Sequence, residues 1–326
     1  MPDKVRWGIL GAAKIALVKV IPAMQKSELC EIAAIASRDL SKAREAGAKL
    51  GIPKAYGSYE ELLADPEIDA IYNPLPNHLH LPWTTRAAEA GKHVLCEKPI
   101  GMDAREAREL IRVRDRTGVR IGEAFMVRVH PQWLRAREIV RSGSIGDLRV
   151  VQGFFSYNNQ DPKNIRNIPE FGGGGLMDIG CYPITMSRFL FGGEPHRVLA
   201  LMERDPAMGT DRLTSAILDF PAGQATFTCS TQLAPYQRLQ AFGTKGRVEI
   251  EVPFNPPPDQ PARIFLDGAE EVFPLCDQYA LQGDAFARAI TGGGEVPVTL
   301  EDAAANMDAI DALFRSAESQ GWEKVG

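Results

Sequence analysis

The chain has 326 residues, of which 44% are hydrophobic and 24% charged, and its formal net charge is -5. This length and composition fit a globular protein with two domains. The negative charge argues against nucleic acid or an anionic membrane as the main partner, because both attract a basic surface.

The length of the apolar runs and the N-terminal sequence indicate in which cellular compartment we expect the protein. No run reaches the roughly 18 apolar residues that a membrane helix needs. The chain enters a strand-like pattern at Val5, with no charged segment followed by an apolar one. We therefore expect no secretory signal and a cytoplasmic protein.

Strand and helix patterns alternate through residues 1–124. Strands are predicted at 5–10, 32–36, 70–72, 93–96 and 118–123, and helices at 14–24, 40–50, 79–90 and 104–116. Alternation of this spacing predicts an α/β fold with a doubly wound parallel sheet.

The pattern changes in residues 125–326. A helix at 131–142 precedes strand-like runs at 148–157, 213–220, 225–231, 238–243, 247–252 and 263–266, with further helices at 176–191, 278–290 and 300–320. The polar alternation predicts an α+β domain with a large, mostly antiparallel open sheet. One face of such a sheet is covered, and the other is free to meet a partner. We expect one domain at 1–124 and a second at 125–326.

Metal-binding patterns are not evident in the sequence. The five cysteines are scattered and form no Cys-x-x-Cys pair. His78 and His80 are two residues apart, without a Glu or Cys at a zinc-ligand spacing. We therefore expect no metal site.

A glycine-poor version of the dinucleotide fingerprint follows the first predicted strand, as Gly11-Ala12-Ala13-Lys14-Ile15-Ala16. Alanines replace its second and third glycines. The fingerprint has physical meaning only at a strand-to-helix turn, where N–H groups and the helix dipole attract a pyrophosphate. The alternative is an ordinary βα turn, but the surrounding alternation favours a nucleotide site.

The end of the second strand bears on which nucleotide binds. NAD-specific sites usually place Asp or Glu there to hold the ribose 2′-hydroxyl. Ser37 and Arg38 stand at this position, and a hydroxyl with a guanidinium suits a 2′-phosphate. Asp39 is expected to cap the next helix. The pattern predicts NADP, and the alternative for Arg38 is a solvated surface residue.

Glu97-Lys98-Pro99 directly follows the buried strand at 93–96. Ligands of open parallel sheets bind outside the carboxyl ends of the strands. Proline restricts the residue before it to extended conformations. We therefore expect the Lys98 ammonium to point into a cleft, whereas Glu97 fixes the turn.

Four successive glycines, 172–175, precede a predicted helix that carries Asp178 and Tyr182. Such a run is expected where the chain turns sharply or approaches a ligand closely. Residues four apart share a helix face. A free tyrosine has a pKa of about 10, and a nearby ammonium such as that of Lys98 favours the phenolate. Taken alone, Tyr182 is equally well explained as a core residue, and Asp178 as a carboxylate at the start of a helix. Taken together with Lys98, the two residues favour acid–base catalysis of hydride transfer.

The motifs resemble those of the glucose–fructose oxidoreductase and inositol dehydrogenase family over essentially the whole chain. The resemblance is carried by Gly11-Ala12-Ala13-Lys14-Ile15-Ala16, Asn73-Pro74-Leu75-Pro76-Asn77-His78, Glu97-Lys98-Pro99, Phe125-Met126-Val127-Arg128 and residues 172–182. Glu97-Lys98-Pro99 is the most specific of these. The resemblance implies an N-terminal Rossmann domain and a C-terminal domain for substrate binding and oligomerisation.

One departure places the chain within the family. Inositol dehydrogenases carry Asp-x-x-x-His, whereas this chain has Asp178-x-x-x-Tyr182. With tyrosine at this position, the chain resembles the branch that contains dihydrodiol dehydrogenase, glucose–fructose oxidoreductase and aldose oxidoreductases. The branch resemblance implies Lys98 and Tyr182 as the catalytic pair, NADP as cofactor, and a homodimer through the C-terminal sheet.

The resemblance also extends the predicted sites. Pro76, Asn77 and His78 match positions that meet the cofactor's ribose and nicotinamide, although His78 is nearly as well explained as a surface residue. Arg128 and Arg166 are candidates for sugar hydroxyls, with a solvated arginine as the alternative for Arg166. The predicted cofactor site comprises Gly11, Ala12, Ala13, Lys14, Ile15, Ser37, Arg38, Asn73, Pro74, Leu75, Pro76, Asn77, His78, Glu97, Lys98 and Arg128; the substrate site comprises Lys98, Arg128, Arg166, Asp178 and Tyr182.

Four functions compete on this reading. The first is NADP-dependent oxidation of an aldose at C1 to a lactone, with the cofactor either exchanged or kept bound and recycled by a second sugar. The second is reduction of a keto-sugar or dicarbonyl, or a dihydrodiol-type dehydrogenation, by the same residues. A non-catalytic NADP sensor is the third, and intact Lys98, Asp178 and Tyr182 argue against it. A redox-neutral glycosidase is the fourth, which the tyrosine does not favour.

Overall fold

The computed structural model describes residues 4–292 and 294–326; residues 1–3, part of the stretch considered for a secretory signal, lie outside the described residues. The strands are β1 (Val5–Leu10), β2 (Cys30–Ala36), β3 (Lys54–Tyr56), β4 (Ala70–Asn73), β5 (His93–Glu97), β6 (Ile121–Ala124), β7 (Leu148–Asn158), β8 (Arg197–Arg204), β9 (Asp211–Phe220), β10 (Gly223–Ser230), β11 (Gln232–Gly243), β12 (Arg247–Ile250), β13 (Arg263–Leu266), β14 (Ala269–Val272) and β15 (Glu323–Lys324). The α-helices are α1 (Ile21–Met24), α2 (Leu40–Leu50), α3 (Tyr59–Leu63), α4 (His80–Glu89), α5 (Ala104–Thr117), α6 (Pro131–Arg141), α7 (Cys181–Phe191), α8 (Gln278–Ile290) and α9 (Leu300–Ser319).

The chain forms two compact units. The first comprises Met1–Val129 and Asp277–Ala304, and the second comprises His130–Cys276 and Ala305–Gly326. The sequence analysis instead places a single boundary after residue 124. The returning segment joins the first unit because α8 buries an apolar face there: the ring centroids of Phe286 and Trp7 are 5.7 Å apart, and both side chains are fully buried.

The first unit contains a parallel sheet with strand order β3-β2-β1-β4-β5-β6. This is the doubly wound order of dinucleotide-binding folds, so the predicted fold is confirmed for this half. The strand order reverses between β1 and β4, which pair in parallel. The crevice outside the carboxyl ends of these strands is where ligands of such sheets bind.

Helix α2 begins and ends at the residues that elementary capping rules select. Asp39 accepts a hydrogen bond from the backbone of Ser41 and caps α2, as predicted, and Gly51 ends that helix in a left-handed conformation. The first helix, predicted at 14–24, contains a π-helical turn at Ala16–Val20 before α1 begins. Such wide turns are rare and are often found at functional sites.

The second unit contains a sheet with strand order β14-β13-β12-β11-β7-β10-β9-β8-β15. Strands β10 and β7 pair in parallel, whereas the other neighbours in this sheet are antiparallel. This confirms the predicted large, mostly antiparallel sheet.

The two faces of this second sheet differ. Helix α7 contacts β7, and α6 contacts β12 and β13. A groove of about 990 Å³ lies along strands β7–β11, and its lining includes Phe154 and Leu201. Leu201 is 79% exposed. Within the described ranges, no helix combines the length and apolar character that crossing a membrane requires.

Candidate active site

The turn after β1 is built around Gly11. Its φ is +79°, a conformation that favours glycine, and its N–H donates to the Ala36 carbonyl at 2.7 Å. A Cβ at this position would lie 3.0 Å from Leu75 Cδ2 and 3.4 Å from the Tyr59 hydroxyl. The turn therefore passes close to the β4 turn, and the small, half-buried Ala12 and Ala13 follow it. Their predicted contact with a pyrophosphate stays a prediction.

The end of β2 places Ser37 and Arg38 differently. Ser37 is buried, and its hydroxyl accepts a hydrogen bond from the Asp39 N–H at 3.2 Å. Arg38 is exposed and lies near Tyr59. Burial raises the pKa of Tyr59, while Arg38 opposes that shift. Tyr59, which lies between Arg38 and the Gly11 turn, is not predicted from the sequence.

The turn after β4 is held from inside the protein. Asn73 is fully buried; its amide nitrogen donates to Thr84 Oγ1 at 3.1 Å and its side-chain oxygen accepts from the Leu75 N–H at 3.3 Å. These bonds shape the segment that carries Pro74 and Leu75. The Asn73 side chain thus supports this turn, and Pro76, Asn77 and His78 are half-buried beyond it.

The turn after β5 carries Lys98, which is half-buried. The Lys98–Pro99 peptide bond is cis. The Glu97 carboxylate accepts hydrogen bonds from the Tyr72 hydroxyl at 2.6 Å and from the Lys98 N–H at 3.2 Å. Burial and, next, the charge of Glu97 raise the pKa of Tyr72, so this hydroxyl remains a donor. Glu97 therefore braces the turn.

Two further buried side chains hold the same turn, and the sequence analysis missed both roles. His80 Nδ1 lies 2.8 Å from the Pro99 carbonyl oxygen. Glu123 Oε1 accepts a hydrogen bond from the Ile100 N–H at 2.8 Å. The backbone that directly follows Lys98 is thus fixed by two buried polar side chains.

Arg128 forms an ion pair with Asp302, a residue of the returning segment of the first unit. Both side chains are largely buried, with exposed fractions of 14% and 22%. This contact accounts for an arginine at position 128 without a ligand. Its predicted contact with cofactor or sugar stays a prediction.

In the second unit, the glycine run makes a close turn against the chain itself. A Cβ on Gly173 would lie 2.6 Å from the Arg166 carbonyl oxygen, and one on Gly174, where φ is +123°, would lie 2.0 Å from Asp211 Oδ1. Asp211 is buried and accepts a hydrogen bond from the Leu176 N–H at 2.6 Å. The run therefore packs the Arg166 loop onto the start of the helix, and Asp211 fixes that start.

Asp178 lies on the π-helical turn Leu176–Gly180, directly before α7. One oxygen accepts a hydrogen bond from the Tyr157 hydroxyl at 2.6 Å, and the other accepts from Arg166 Nε at 3.0 Å. Burial first, and then the charge of Asp178, raise the pKa of Tyr157. The structure thus brings Asp178 and Arg166 together and adds Tyr157, which the sequence analysis missed.

Tyr182 lies on α7 with only 4% of its surface exposed. Its ring packs edge-on against Phe155 at 5.7 Å and beside Phe254 at 5.4 Å. Phe155 and Tyr157 are two apart on β7 and face the same side of the sheet. Tyr182 and Asp178 therefore project toward one face of that strand, as their spacing predicts.

The described part of the chain contains no group of three or more His, Cys, Asp or Glu side chains arranged to hold a metal ion. The predicted reactive groups are an ammonium, a phenol and a carboxylate. Lys98 belongs to the first unit, and Asp178 and Tyr182 belong to the second.

Comparison with known proteins identifies the family. A family model described as an oxidoreductase family with an NAD-binding Rossmann fold matches residues 5–125, and one for the GFO/IDH/MocA C-terminal domain matches residues 133–249. A D-xylose 1-dehydrogenase (NADP(+)) of Haloferax volcanii is 42% identical over 321 residues, covering 96% of this chain and 97% of its own. The chain belongs to the GFO/IDH/MocA family. It is an oxidoreductase, and its Rossmann domain binds a nicotinamide cofactor.

Solved structures of GFO/IDH/MocA relatives share the fold over nearly the whole chain. The aldose-aldose oxidoreductase from Caulobacter crescentus, complexed with glycerol, has a TM-score of 0.91 at 29% identity and covers 99% of this chain and 100% of its own. A 3-ketoreductase from Actinomadura kijaniata, in complex with NADP and TDP-benzene, has a TM-score of 0.90 at 31% identity and covers 96% and 98%. The resemblance inferred from the motifs is thereby confirmed.

Proposed function

We propose that this protein is an NADP-dependent sugar dehydrogenase that oxidises an aldose at C1 to the lactone. The observation that carries the proposal is the Lys98 turn, which Glu97, His80 and Glu123 brace at the carboxyl end of β5. Buried braces of this kind hold a cation where the ligand of a doubly wound sheet binds. The names of two relatives, a xylose dehydrogenase and an aldose-aldose oxidoreductase, support an aldose as substrate.

The preference for NADP rests on the end of β2. Ser37 and Arg38 stand where an NAD-specific site usually has a carboxylate. An exposed guanidinium beside Tyr59 suits the dianionic 2′-phosphate. The xylose dehydrogenase is named for NADP, and the 3-ketoreductase structure contains it, which supports the same choice here.

Side chains of the protein transfer the hydroxyl proton in the proposed reaction. The nicotinamide, when bound, accepts a hydride from the sugar carbon. Tyr182 takes the proton of the sugar hydroxyl as general base, and the positive charge of Lys98 favours its phenolate form. General-base help of this kind typically contributes about 10² to 10⁴ in rate.

Asp178 and Arg166 orient the sugar in this proposal. Because Tyr157 and Arg166 donate to different oxygens of Asp178, the carboxylate is fixed in direction, and in this proposal it accepts a hydrogen bond from a second sugar hydroxyl. Arg166 is 43% exposed at its side chain, so its guanidinium also has room to donate to the sugar.

The partner of the second sheet is a second copy of this chain in our proposal. The groove along β7–β11 and the exposed Leu201 and Tyr236 present an apolar surface that sequence resemblance implies as a dimer interface. Sedimentation equilibrium measures the mass directly. A monomer at every protein concentration would exclude this arrangement.

A second candidate is the reduction of a keto-sugar with NADPH. It is favoured by the similarity to the 3-ketoreductase, at a TM-score of 0.90. The same proton donor and hydride partner serve in both directions, so the substrate decides between the two functions.

The test is a substrate panel on the purified protein. The absorbance of reduced nicotinamide is recorded first without additions, to detect cofactor that stays bound. Aldoses are then added with NADP, and keto-sugars with NADPH. Reduction of NADP by an aldose supports the dehydrogenase; oxidation of NADPH by keto-sugars alone supports the reductase. Absence of any change with aldoses across the pH range would refute the first proposal.

A further inference from the structure

Two turns at the carboxyl edge of the parallel sheet are joined by one buried histidine. Strands β4 and β5 are parallel neighbours, with Asn73 opposite Cys96 near their ends. The turns that follow them carry Leu75 and Lys98. His80, the first residue of α4, is fully buried.

Both ring nitrogens of His80 meet backbone carbonyls. Nε2 lies 2.7 Å from the Leu75 carbonyl oxygen, and Nδ1 lies 2.8 Å from the Pro99 carbonyl oxygen. Carbonyl oxygens only accept hydrogen bonds, so each contact needs a proton on the histidine. The imidazole therefore links the β4 turn and the β5 turn, with one ring nitrogen facing a carbonyl of each; we call this link the tie.

The charge state of the ring decides how the tie operates. Burial, and then the positive charges of Lys98 and His78, lower the pKa of His80 to about 4, against the favourable effect of the two carbonyls. Near neutral pH the ring thus has one N–H. The Nδ1–H tautomer donates to Pro99 and holds the Lys98 turn, whereas the Nε2–H tautomer donates to Leu75 and holds the β4 turn.

The two turns have different tasks in the proposed enzyme. Leu75 approaches Gly11, since a Cβ on that glycine would lie 3.0 Å from Leu75 Cδ2. The β4 turn thereby packs against the segment that receives the pyrophosphate. The turn at Pro99 is continuous with Lys98, so its position sets the direction of the ammonium.

We propose that His80 is a positioning residue that exchanges one N–H between two backbone carbonyls. One tautomer aligns Lys98 for proton transfer through the Pro99 carbonyl, and the other aligns the cofactor segment through the Leu75 carbonyl. This inference rests on the proposed function, because it assigns Lys98 to the reaction. It adds a fully buried residue that acts through two backbone segments.

The chain offers substitutions that separate the two ends of the tie. The amide nitrogen of asparagine reaches the position of a histidine Nδ1, and that of glutamine reaches the position of Nε2. His80→Asn therefore keeps the bond to Pro99, and His80→Gln keeps the bond to Leu75. His80→Ala loses both. His196 is exposed in the second unit, so His196→Asn and His196→Gln are matched controls.

The readouts are kcat with the best sugar of the panel and the dissociation constant of NADPH, followed by its fluorescence. We expect His80→Asn to keep kcat within about threefold and to weaken NADPH binding about tenfold, the loss typical for one buried hydrogen bond. We expect His80→Gln to show the reverse, with NADPH binding kept and kcat about tenfold lower. His80→Ala is expected to show both losses, and the His196 variants neither.

Two results would overturn the inference. One is that His80→Asn and His80→Gln both match the wild-type protein. The other is that kcat and NADPH affinity fall together in both, as expected of a packing role alone. If the wild-type protein turns over no sugar, the proposed function fails, whereas NADPH binding by the two variants still tests the Leu75 end.

A second measurement needs no substitution. Nitrogen NMR of protein with labelled histidine reports the protonation of each ring nitrogen in the wild-type enzyme. We expect a neutral His80 ring near pH 7 whose tautomer balance shifts when NADPH binds. A ring whose signals do not respond to NADPH would contradict the tie.

Discussion

The hydroxyl of Tyr157 donates a 2.6 Å hydrogen bond to the carboxylate of Asp178. Arg166 Nε donates to the other oxygen at 3.0 Å. Tyr157 on β7 and Arg166 in the following loop thus both fix the Asp178 side chain. Asp178 has only 14% of its side chain exposed. A carboxylate held in this way is suited to binding and orienting a polyhydroxyl substrate, and less to carrying a proton.

The two hydrogen bonds to Asp178 lead to the first prediction. Tyr157→Phe removes one donor to Asp178, and Arg166→Ala removes another, so each variant is expected to raise the sugar KM about tenfold, with a smaller effect on NADP binding. Tyr236→Phe, on an exposed tyrosine of the same sheet, is the control. Steady-state kinetics with varied sugar measure the effect. An unchanged sugar KM in both variants would exclude this role for Asp178.

The second prediction concerns the choice of cofactor. Arg38→Ala removes the guanidinium proposed for the 2′-phosphate, and the KM for NADP is expected to rise about ten- to hundredfold, because hydrogen bonds to charged groups contribute about 1.5–3 kcal/mol. The KM for NAD is expected to change little. Arg44→Ala, on the exposed side of α2, is the control. Equal effects on the two cofactors would refute the assignment.

The third prediction concerns the glycine turn. Gly174→Ala places a methyl 2.0 Å from Asp211 Oδ1 at a φ of +123°, so it has to displace the carboxylate that fixes the helix start. We expect it to lower the free energy of unfolding by more than about 2 kcal/mol. Gly193→Ala, which meets nothing within 4 Å, is expected to be nearly neutral. Urea unfolding compares the two; equal stabilities would contradict the turn as described.

The fourth prediction is a pH dependence of stability. The pKa of His80 is lowered to about 4 in the folded protein, chiefly by burial and then by Lys98 and His78. Its ordinary value is about 6.5, so the unfolded chain gains a proton first as the pH falls. The contribution of neutral, buried His80 to the free energy of unfolding is therefore present above about pH 6.5 and declines between that value and pH 4. Burial lowers the pKa of His130 to about 4 as well, with the same sign.

His80→Asn isolates the contribution of one histidine. Between pH 7 and pH 5, His80 and His130 each remove about 2 kcal/mol from the free energy of unfolding of the wild-type protein. The variant is expected to lose about 2 kcal/mol less over this interval, whatever its stability at pH 7. Urea unfolding at the two pH values measures it. An identical loss in both proteins would mean that folding does not lower the pKa of His80.

The sequence predicts the strands whose patterning is distinct. The buried runs of β1, β4 and β5 and the alternation of β9 are read correctly because each has one dominant period. It misses β3, which has only three half-buried residues. It also misses β8, where the exposed Leu201 makes both faces of the strand apolar and hides the alternation.

The candidate site is predicted where a motif is local and missed where it depends on tertiary contacts. Gly11, Lys98 and Asp178 stand in recognisable patterns. Tyr157, Asp211 and His80 act on residues 21, 35 and 19 positions away, respectively. Their partners are set by strand register and turn shape, which composition and spacing do not encode. The return of Asp277–Ala304 to the first unit is missed for the same reason.

The most direct test of the account measures the first turnover. Protein loaded with NADP is mixed rapidly with an aldose that the panel identifies, and nicotinamide absorbance is followed in the wild type, Lys98→Ala and Tyr182→Phe. We predict reduction in the wild type and rates at least about 10²-fold lower in both variants, with NADP affinity nearly unchanged. Wild-type rates in either variant would contradict the proposed acid–base pair.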